Sequence, residues 1–234
     1  MGSAEKRVLL LGGWSPGPLT YLKQVCGHNN IVCFEPSIAT PPVGARCWVN
    51  PFLFLIISTV FIAYPYAVSY AMRTPGIVSV GISAAITYLT FLVLRNVLLP
   101  RFLRYSIGDC MRVARGVIEK EGIDCIIGFS WGGAIAWWMV AEGYWEGPTL
   151  MLAPTIEVMA YVGKEKFPMV NLSKNLAAKT VFFHCYDDPF CPKKQIERLR
   201  DTGAQMLEVD DNHIFLERAS CTKIEAEMMS LLRA

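Results

Sequence analysis

Apolar and polar positions along the chain follow two patterns. In the first, short apolar runs are each closed by Gly, Pro, Asp or Asn and read as strands: Arg7 to Leu11, Ile31 to Glu35, Ile123 to Phe129, Thr149 to Ala153, Thr180 to Cys185 and Met206 to Val209. Stretches with helical spacing lie between them, at Pro18 to Cys26, Ile107 to Glu121, Gly132 to Glu142, Lys193 to Arg200 and from about His213 to Leu232. Met111, Ala114, Val117 and Ile118, for example, fall on one face of a helix. Strands alternating with helices predict a parallel sheet.

The second pattern is coarser. Cys47 to Met72 carries no charge, and after Arg73 neither does Thr74 to Leu94. Each run exceeds the about 20 helical residues that a bilayer core of about 30 Å requires. No acidic residue occurs between Glu35 and Asp109. The expectation is a transmembrane hairpin over residues 48–104, with spans of about 51–72 and 76–98, set against the alternative of a buried core hairpin. The hairpin would interrupt one α/β domain formed by residues 1–47 and 105–234. Arg46, Arg95, Arg101 and Arg104 flank its outer ends while the tip offers only Arg73, which orients the rest of the chain to the cytosolic, matrix or stromal side. Ser79, Ser83, Thr87 and Thr90 form a small-residue stripe beside Gly81 and Ala84, suited to packing on another subunit or only on the first span.

Composition agrees with a folded, apolar chain. Of 234 residues, 53% are hydrophobic and 18% charged, below the about one quarter usual in globular domains, so disorder is excluded. Lys and Arg number 22 against 20 Asp and Glu, and a net charge of +2 makes nucleic acid a poor partner. The start Met1 to Arg7 reads as no signal peptide, and Lys6 stands where a myristoylation pattern needs Ser or Thr. Cys33, Cys125 and Cys185 lie in strand-like runs without CxxC spacing, which favours reduced, structural thiols.

Candidate chemistry centres on Gly128-Phe129-Ser130-Trp131-Gly132, a G-x-S-x-G pattern placed after a strand and before a helix. A serine on so sharp a turn needs flanking residues without side chains, and it projects from the C-terminal end of its strand. A plain Gly-rich turn is the alternative. Because a serine hydroxyl is a weak nucleophile, it needs a base and a group that orients the base. Three histidines are available. His28 sits in a turn and His184 inside an apolar strand, whereas His213 follows the last strand in the loop Asp210-Asp211-Asn212-His213. The strand ending at Cys185 continues into Asp187-Asp188-Pro189, which supplies a carboxylate. The chain order is Ser, Asp, His.

These motifs resemble the α/β-hydrolase superfamily, in particular its dienelactone-hydrolase-like and acyl-thioesterase-like serine hydrolases, over all but the hairpin. The resemblance implies a mostly parallel sheet flanked by helices, here interrupted by the two-helix transmembrane hairpin. It implies hydrolysis of a carboxylic ester or thioester through an acyl-enzyme. In that family the acid precedes a Pro-containing stretch, matched by Asp188-Pro189-Phe190-Cys191-Pro192, so Asp188 takes the role and Asp187 is its neighbour. The oxyanion donors it implies are the backbone N–H of Trp131 and that of Trp14 or Gly13, with Gly12 replacing a usual His.

Since the hairpin follows a strand C-terminal end, it shares a face with Ser130. Two readings follow. One is a membrane-anchored serine hydrolase acting on a lipid-like or acylated substrate, with the bilayer as partner through residues 48–104. The other is a hydrolase-fold accessory subunit of a larger membrane complex, whose partners are other membrane-protein subunits. No cofactor or metal is expected, as the chain has no Walker motif, no G-x-G-x-x-G and no metal-ligand spacing. Trp137, Trp138, Tyr144 and Trp145 suit either helix packing or an interfacial belt.

Overall fold

The computed structural model describes residues 5–38, 70, 85, 86, 88, 89 and 92–233. The chain divides into two compact units, Met1–Ile38 with Ile107–Ala234, and Ala39–Ser106. The first holds one six-stranded sheet: β1 (Arg7–Leu11), β2 (Val32–Phe34), β3 (Cys125–Phe129), β4 (Thr149–Leu152), β5 (Thr180–Cys185) and β6 (Gln205–Val209), in the order β2-β1-β3-β4-β5-β6. Every pairing is parallel. The central strands are buried on both faces, which is why they read as apolar runs rather than as alternation.

Helices α1 (Leu19–His28), α2 (Leu99–Glu121), α3 (Trp131–Ala141), α4 (Ile156–Gly163), α5 (Lys174–Ala178) and α6 (Lys193–Arg200) lie between the strands, and α7 (Arg218–Leu231) follows β6. Leu19, Leu22, Val25 and Cys26 of α1 join Ile224, Met228 and Leu231 of α7 against Val8, Leu10, Ile127, Leu150, Val181 and Phe183 on one side of the sheet. α3 covers the other side, where Trp137 meets Phe182 edge-on at 5.4 Å. α3 is buried from Trp131 to Val140, so its mixed apolar surface needs no polar face. Trp137, Trp138 and Trp145 are buried, which settles them as packing residues. Tyr144 lies beneath the guanidinium of Arg115, 4.4 Å from it.

Two short helices, α4 and α5, occupy the stretch after β4 that carried no expected element. The Ser173 hydroxyl starts α5 by accepting the Leu176 N–H at 3.2 Å.

Among the described residues no helix is long and apolar enough to cross a membrane. This corrects the expectation of an integral membrane protein with two transmembrane helices and a catalytic domain held on one side. The physical reason among the described helices is charge, as in α2. It is the longest described helix, and it carries Arg101, Arg104, Asp109, Arg112, Arg115, Glu119, Lys120 and Glu121. It is preceded by a π-helical turn, Leu94–Leu98, that includes Arg95 and Asn96. Apart from residue 70, the expected span 51–72 lies outside the described residues, as do 76–84 of the second span and Ser79, Ser83, Thr87 and Thr90.

Candidate functional site

β3 runs into α3 through Ser130, whose backbone sits at φ 54 and ψ −113, a region costly for a residue with a side chain. Neighbouring groups hold it there. Ser130 N–H donates to Leu152 O at 2.8 Å, and its carbonyl accepts from Ala134 N at 3.1 Å and Thr155 N at 3.2 Å. A Cβ on Gly128 would lie 2.5 Å from Gly132 O, and one on Gly132 would overlap the Leu11 carbonyl. The two glycines therefore allow β3 and α3 to close on each other and on the end of β1.

His213 reaches this turn from a loop built by its neighbours. The Asp211 carboxylate accepts N–H groups from Asn212 at 2.7 Å, Leu216 at 3.2 Å and Glu217 at 2.9 Å. Burial alone would raise that carboxyl, but the hydrogen bonds hold it below its usual value. Asn212 accepts from Ile214 N at 2.9 Å through its side chain, and its carbonyl accepts from the Cys185 thiol at 3.0 Å. The loop is thereby tied to the end of β5.

The same end of β5 carries Asp188, whose side chain is fully buried. One carboxylate oxygen accepts the Phe190 N–H at 2.8 Å, and the other lies 2.6 Å from His213 Nδ1. His213 Nε2 lies 2.9 Å from Ser130 Oγ. Three side chains from the ends of β3, β5 and β6 thus form one continuous hydrogen-bonded line. Asp187 is exposed and takes no part in it; His28 is exposed at the end of α1, and His184 is buried in β5. Burial holds His184 below its ordinary pKa.

The His213 ring is gripped by aromatic neighbours, Phe129 at 5.5 Å and Phe190 at 4.9 Å between centroids. Gly13 abuts the serine so closely that a Cβ there would lie 2.8 Å from Ser130 Cβ and 3.3 Å from Oγ. Trp14, next to it, is 61% exposed. Trp131 opens α3, so the helix itself offers its backbone N–H no carbonyl, and its buried indole N–H has no partner among the described residues.

Gln195 is a site-supporting residue that the sequence did not single out. Fully buried, it accepts the Glu157 N–H at 2.7 Å and donates to Pro154 O at 2.5 Å and Cys191 Sγ at 3.0 Å. It fastens the loop of Asp188 to the loop that follows β4. In sequence it stands within the polar run Lys193-Lys194-Gln195, where nothing marks it as buried. Outside it, Glu157 pairs with Arg198 at 2.8 Å and Lys194 at 3.3 Å. Among the described residues no group of His, Cys, Asp or Glu could hold a metal ion.

No protein-family model matches the sequence, and no curated protein is significantly similar to it. Solved structures do match. A provisional dienelactone hydrolase from Klebsiella pneumoniae aligns with a TM-score of 0.56 and 11% identity, over 99% of this chain and 89% of its own. A Bacillus cereus carboxylesterase aligns at 0.53 and 12% identity, over 98% and 90%. A predicted CIB-like hydrolase from Thermoplasma acidophilum aligns at 0.53 and 11%, over 100% and 89%. At such identities the likeness establishes the fold: the chain adopts the α/β-hydrolase fold, a mostly parallel sheet flanked by helices.

Proposed function

We propose that this chain is a serine hydrolase that cleaves carboxylic esters or thioesters through an acyl-enzyme. The observation that carries the reading is the line from Ser130 Oγ to His213 Nε2 at 2.9 Å and from His213 Nδ1 to Asp188 at 2.6 Å. Fold likeness to hydrolases adds support but does not supply the chemistry.

In this reading Ser130 Oγ attacks the substrate carbonyl carbon as its proton passes to His213 Nε2. The carbonyl π bond opens to an oxyanion, which the Trp131 N–H and the N–H of Gly13 or Trp14 stabilise. Collapse re-forms the carbonyl and expels the alcohol or thiol, which takes the proton from His213. Water then repeats the sequence on the acyl-serine and releases the acid. Asp188, buried and bonded to Nδ1–H, keeps Nε2 free to accept and offsets the imidazolium charge. The exposed faces of Trp14 and Phe190, beside the serine and the histidine, favour a substrate with an apolar acyl or leaving group.

A fluorophosphonate probe tests this directly, since only an activated serine reacts with it at a useful rate. Labelling should map to Ser130 and vanish in Ser130→Ala. A folded wild type that stays unlabelled, or a Ser130→Ala variant that labels equally, would overturn the reading.

A further inference from the structure

The imidazole of His213 packs against two aromatic rings, which differ in what else can reach them. Phe129, at 5.5 Å between centroids, is 1% exposed, and its ring also meets Phe215 edge-on at 6.4 Å. Phe190, at 4.9 Å and tilted by 52°, is 44% exposed. Of the two, only Phe190 has surface left for a ligand. Its main chain is held by the turn that carries the acid. Phe190 N–H donates to the Asp188 carboxylate at 2.8 Å, Cys191 N–H donates to the Asp188 carbonyl at 3.2 Å, and the Cys191 sulfur accepts from the buried Gln195 at 3.0 Å. A ring placed in this way is organised before any substrate arrives.

The chemistry decides which half of an ester meets that ring. When the tetrahedral intermediate collapses, the bond from the carbonyl carbon to the leaving oxygen or sulfur breaks. The leaving atom keeps the electron pair and takes the proton from His213 Nε2. It must then lie within about 3 Å of Nε2. The carbons bonded to it come next to the imidazole, the group against which Phe190 packs, while the acyl carbon stays on Ser130 Oγ. Tyr186, also exposed in the acid loop, instead has the Lys193 ammonium over its ring, 4.8 Å from the centroid.

We propose that Phe190 selects the leaving group, and that the substrate is an ester or thioester of an aromatic alcohol or thiol. The proposal rests on the serine-hydrolase reading of Ser130 and narrows it: the ring reads the half of the substrate that departs and leaves the acyl half unread. An aromatic leaving group can pack offset or edge-on against Phe190, an arrangement that a saturated group of similar size does not reproduce.

The test compares kcat/KM of the full chain on two series of esters. In one the acyl group is always acetyl and the alcohol is cyclohexylmethanol or benzyl alcohol; in the other the alcohol is always methanol and the acid is cyclohexylacetic or phenylacetic. Wild type should prefer benzyl over cyclohexylmethyl acetate by roughly three- to tenfold. Phe190→Ala and Phe190→Leu both keep the backbone N–H to Asp188, and both should bring that ratio close to unity. Because each variant is judged by the ratio of two substrates, a general loss of turnover from a less well-held His213 cancels. The ratio of methyl phenylacetate to methyl cyclohexylacetate should stay at its wild-type value in both variants, and Tyr186→Ala should change neither ratio. Fluorophosphonate labelling of Ser130 is followed in the same samples. If Ser130 labels but wild type cleaves neither acetate or shows no preference for the benzyl ester, the proposal is overturned while the serine reading stands. The same holds if Phe190→Ala keeps the preference or shifts the acyl ratio equally. A folded wild type that does not label overturns both.

Discussion

Phe190 and Asp188 hold His213 from two sides: the Phe190 backbone N–H binds one Asp188 carboxylate oxygen at 2.8 Å, while the Phe190 ring packs, tilted, against the imidazole at 4.9 Å between centroids. The residue that orients the carboxylate is therefore also the one that covers the ring the carboxylate orients. The two functions can be separated by mutation. Phe190→Ala keeps the backbone N–H and removes the ring, so ester turnover should fall by about tenfold while fluorophosphonate still labels Ser130. Steady-state kinetics on a short activated ester, read beside labelling, checks this.

Asp188→Asn should act quite differently. It leaves the shape but favours the wrong tautomer of His213, so turnover should drop roughly 1,000- to 10,000-fold. The exposed Asp187, changed to Asn, should cost no more than about threefold. Equal losses in the two variants would count against the role proposed for Asp188.

Gly132 offers a test of the turn itself. An added Cβ would overlap the Leu11 carbonyl, which is backbone and part of the sheet. Gly132→Ala should therefore lower stability by more than about 3 kcal/mol, or prevent folding altogether. Ser130→Ala should change stability far less. Urea unfolding of the two variants side by side separates steric need from chemical need.

Replacing the buried Gln195 by Leu preserves approximate volume but removes one acceptor and one donor. Glu157 N–H and Pro154 O are then left without their partner, at a cost of about 2–3 kcal/mol. Because the lost bonds connect the loops on either side of the site, turnover should fall as well. Urea midpoints and ester kinetics together give the answer, and an unchanged midpoint would refute this role.

His184 should make stability pH-dependent. Burial depresses its pKa in the folded chain from the ordinary 6.5. As the pH falls below 6.5 the unfolded chain takes up a proton that the folded chain still refuses, so the unfolded state binds more protons and gains ground. Stability is complete above 6.5 and is lost between that value and the lower folded one. Urea midpoints at about pH 7.5 and about pH 5 should differ more for wild type than for His184→Gln. Parallel behaviour of the two proteins would exclude His184 as the source.

The sequence by itself determined the sheet and the serine turn, and the reason is local. Strands buried on both faces must be apolar runs, and their ends must be turn residues, so β1 and β5 fall where the pattern puts them. The crowding at Gly128 and Gly132 leaves so little steric latitude that the turn is written in its glycines. Ser130 and His213 could each be named from the strand end that carries them, whereas the strand ending at Cys185 offered both Asp187 and Asp188, and only the resemblance chose between them.

What only the tertiary structure decided depends on groups distant along the chain. The last helix begins at Arg218 rather than near His213, because the Asp211 carboxylate takes the Leu216 and Glu217 N–H groups and Phe215 adopts φ 52, which breaks helical continuity. β3 starts at Cys125 rather than Ile123, since Asp124 is already engaged with the Arg7 backbone, accepting its N–H at 2.8 Å through the side chain. The burial of Gln195 follows from Glu157 and Pro154, supplied by the distant segment after β4, and from Cys191 just before its own helix, and the polar run around it announces neither. Membrane crossing is corrected on the described residues, among which no helix is long and apolar enough to cross a membrane. The longest described helix takes in the charges that follow the run. Short-range steric rules are carried by consecutive residues and can be read from them, whereas a hydrogen bond or a covered face needs a partner that only folding brings near.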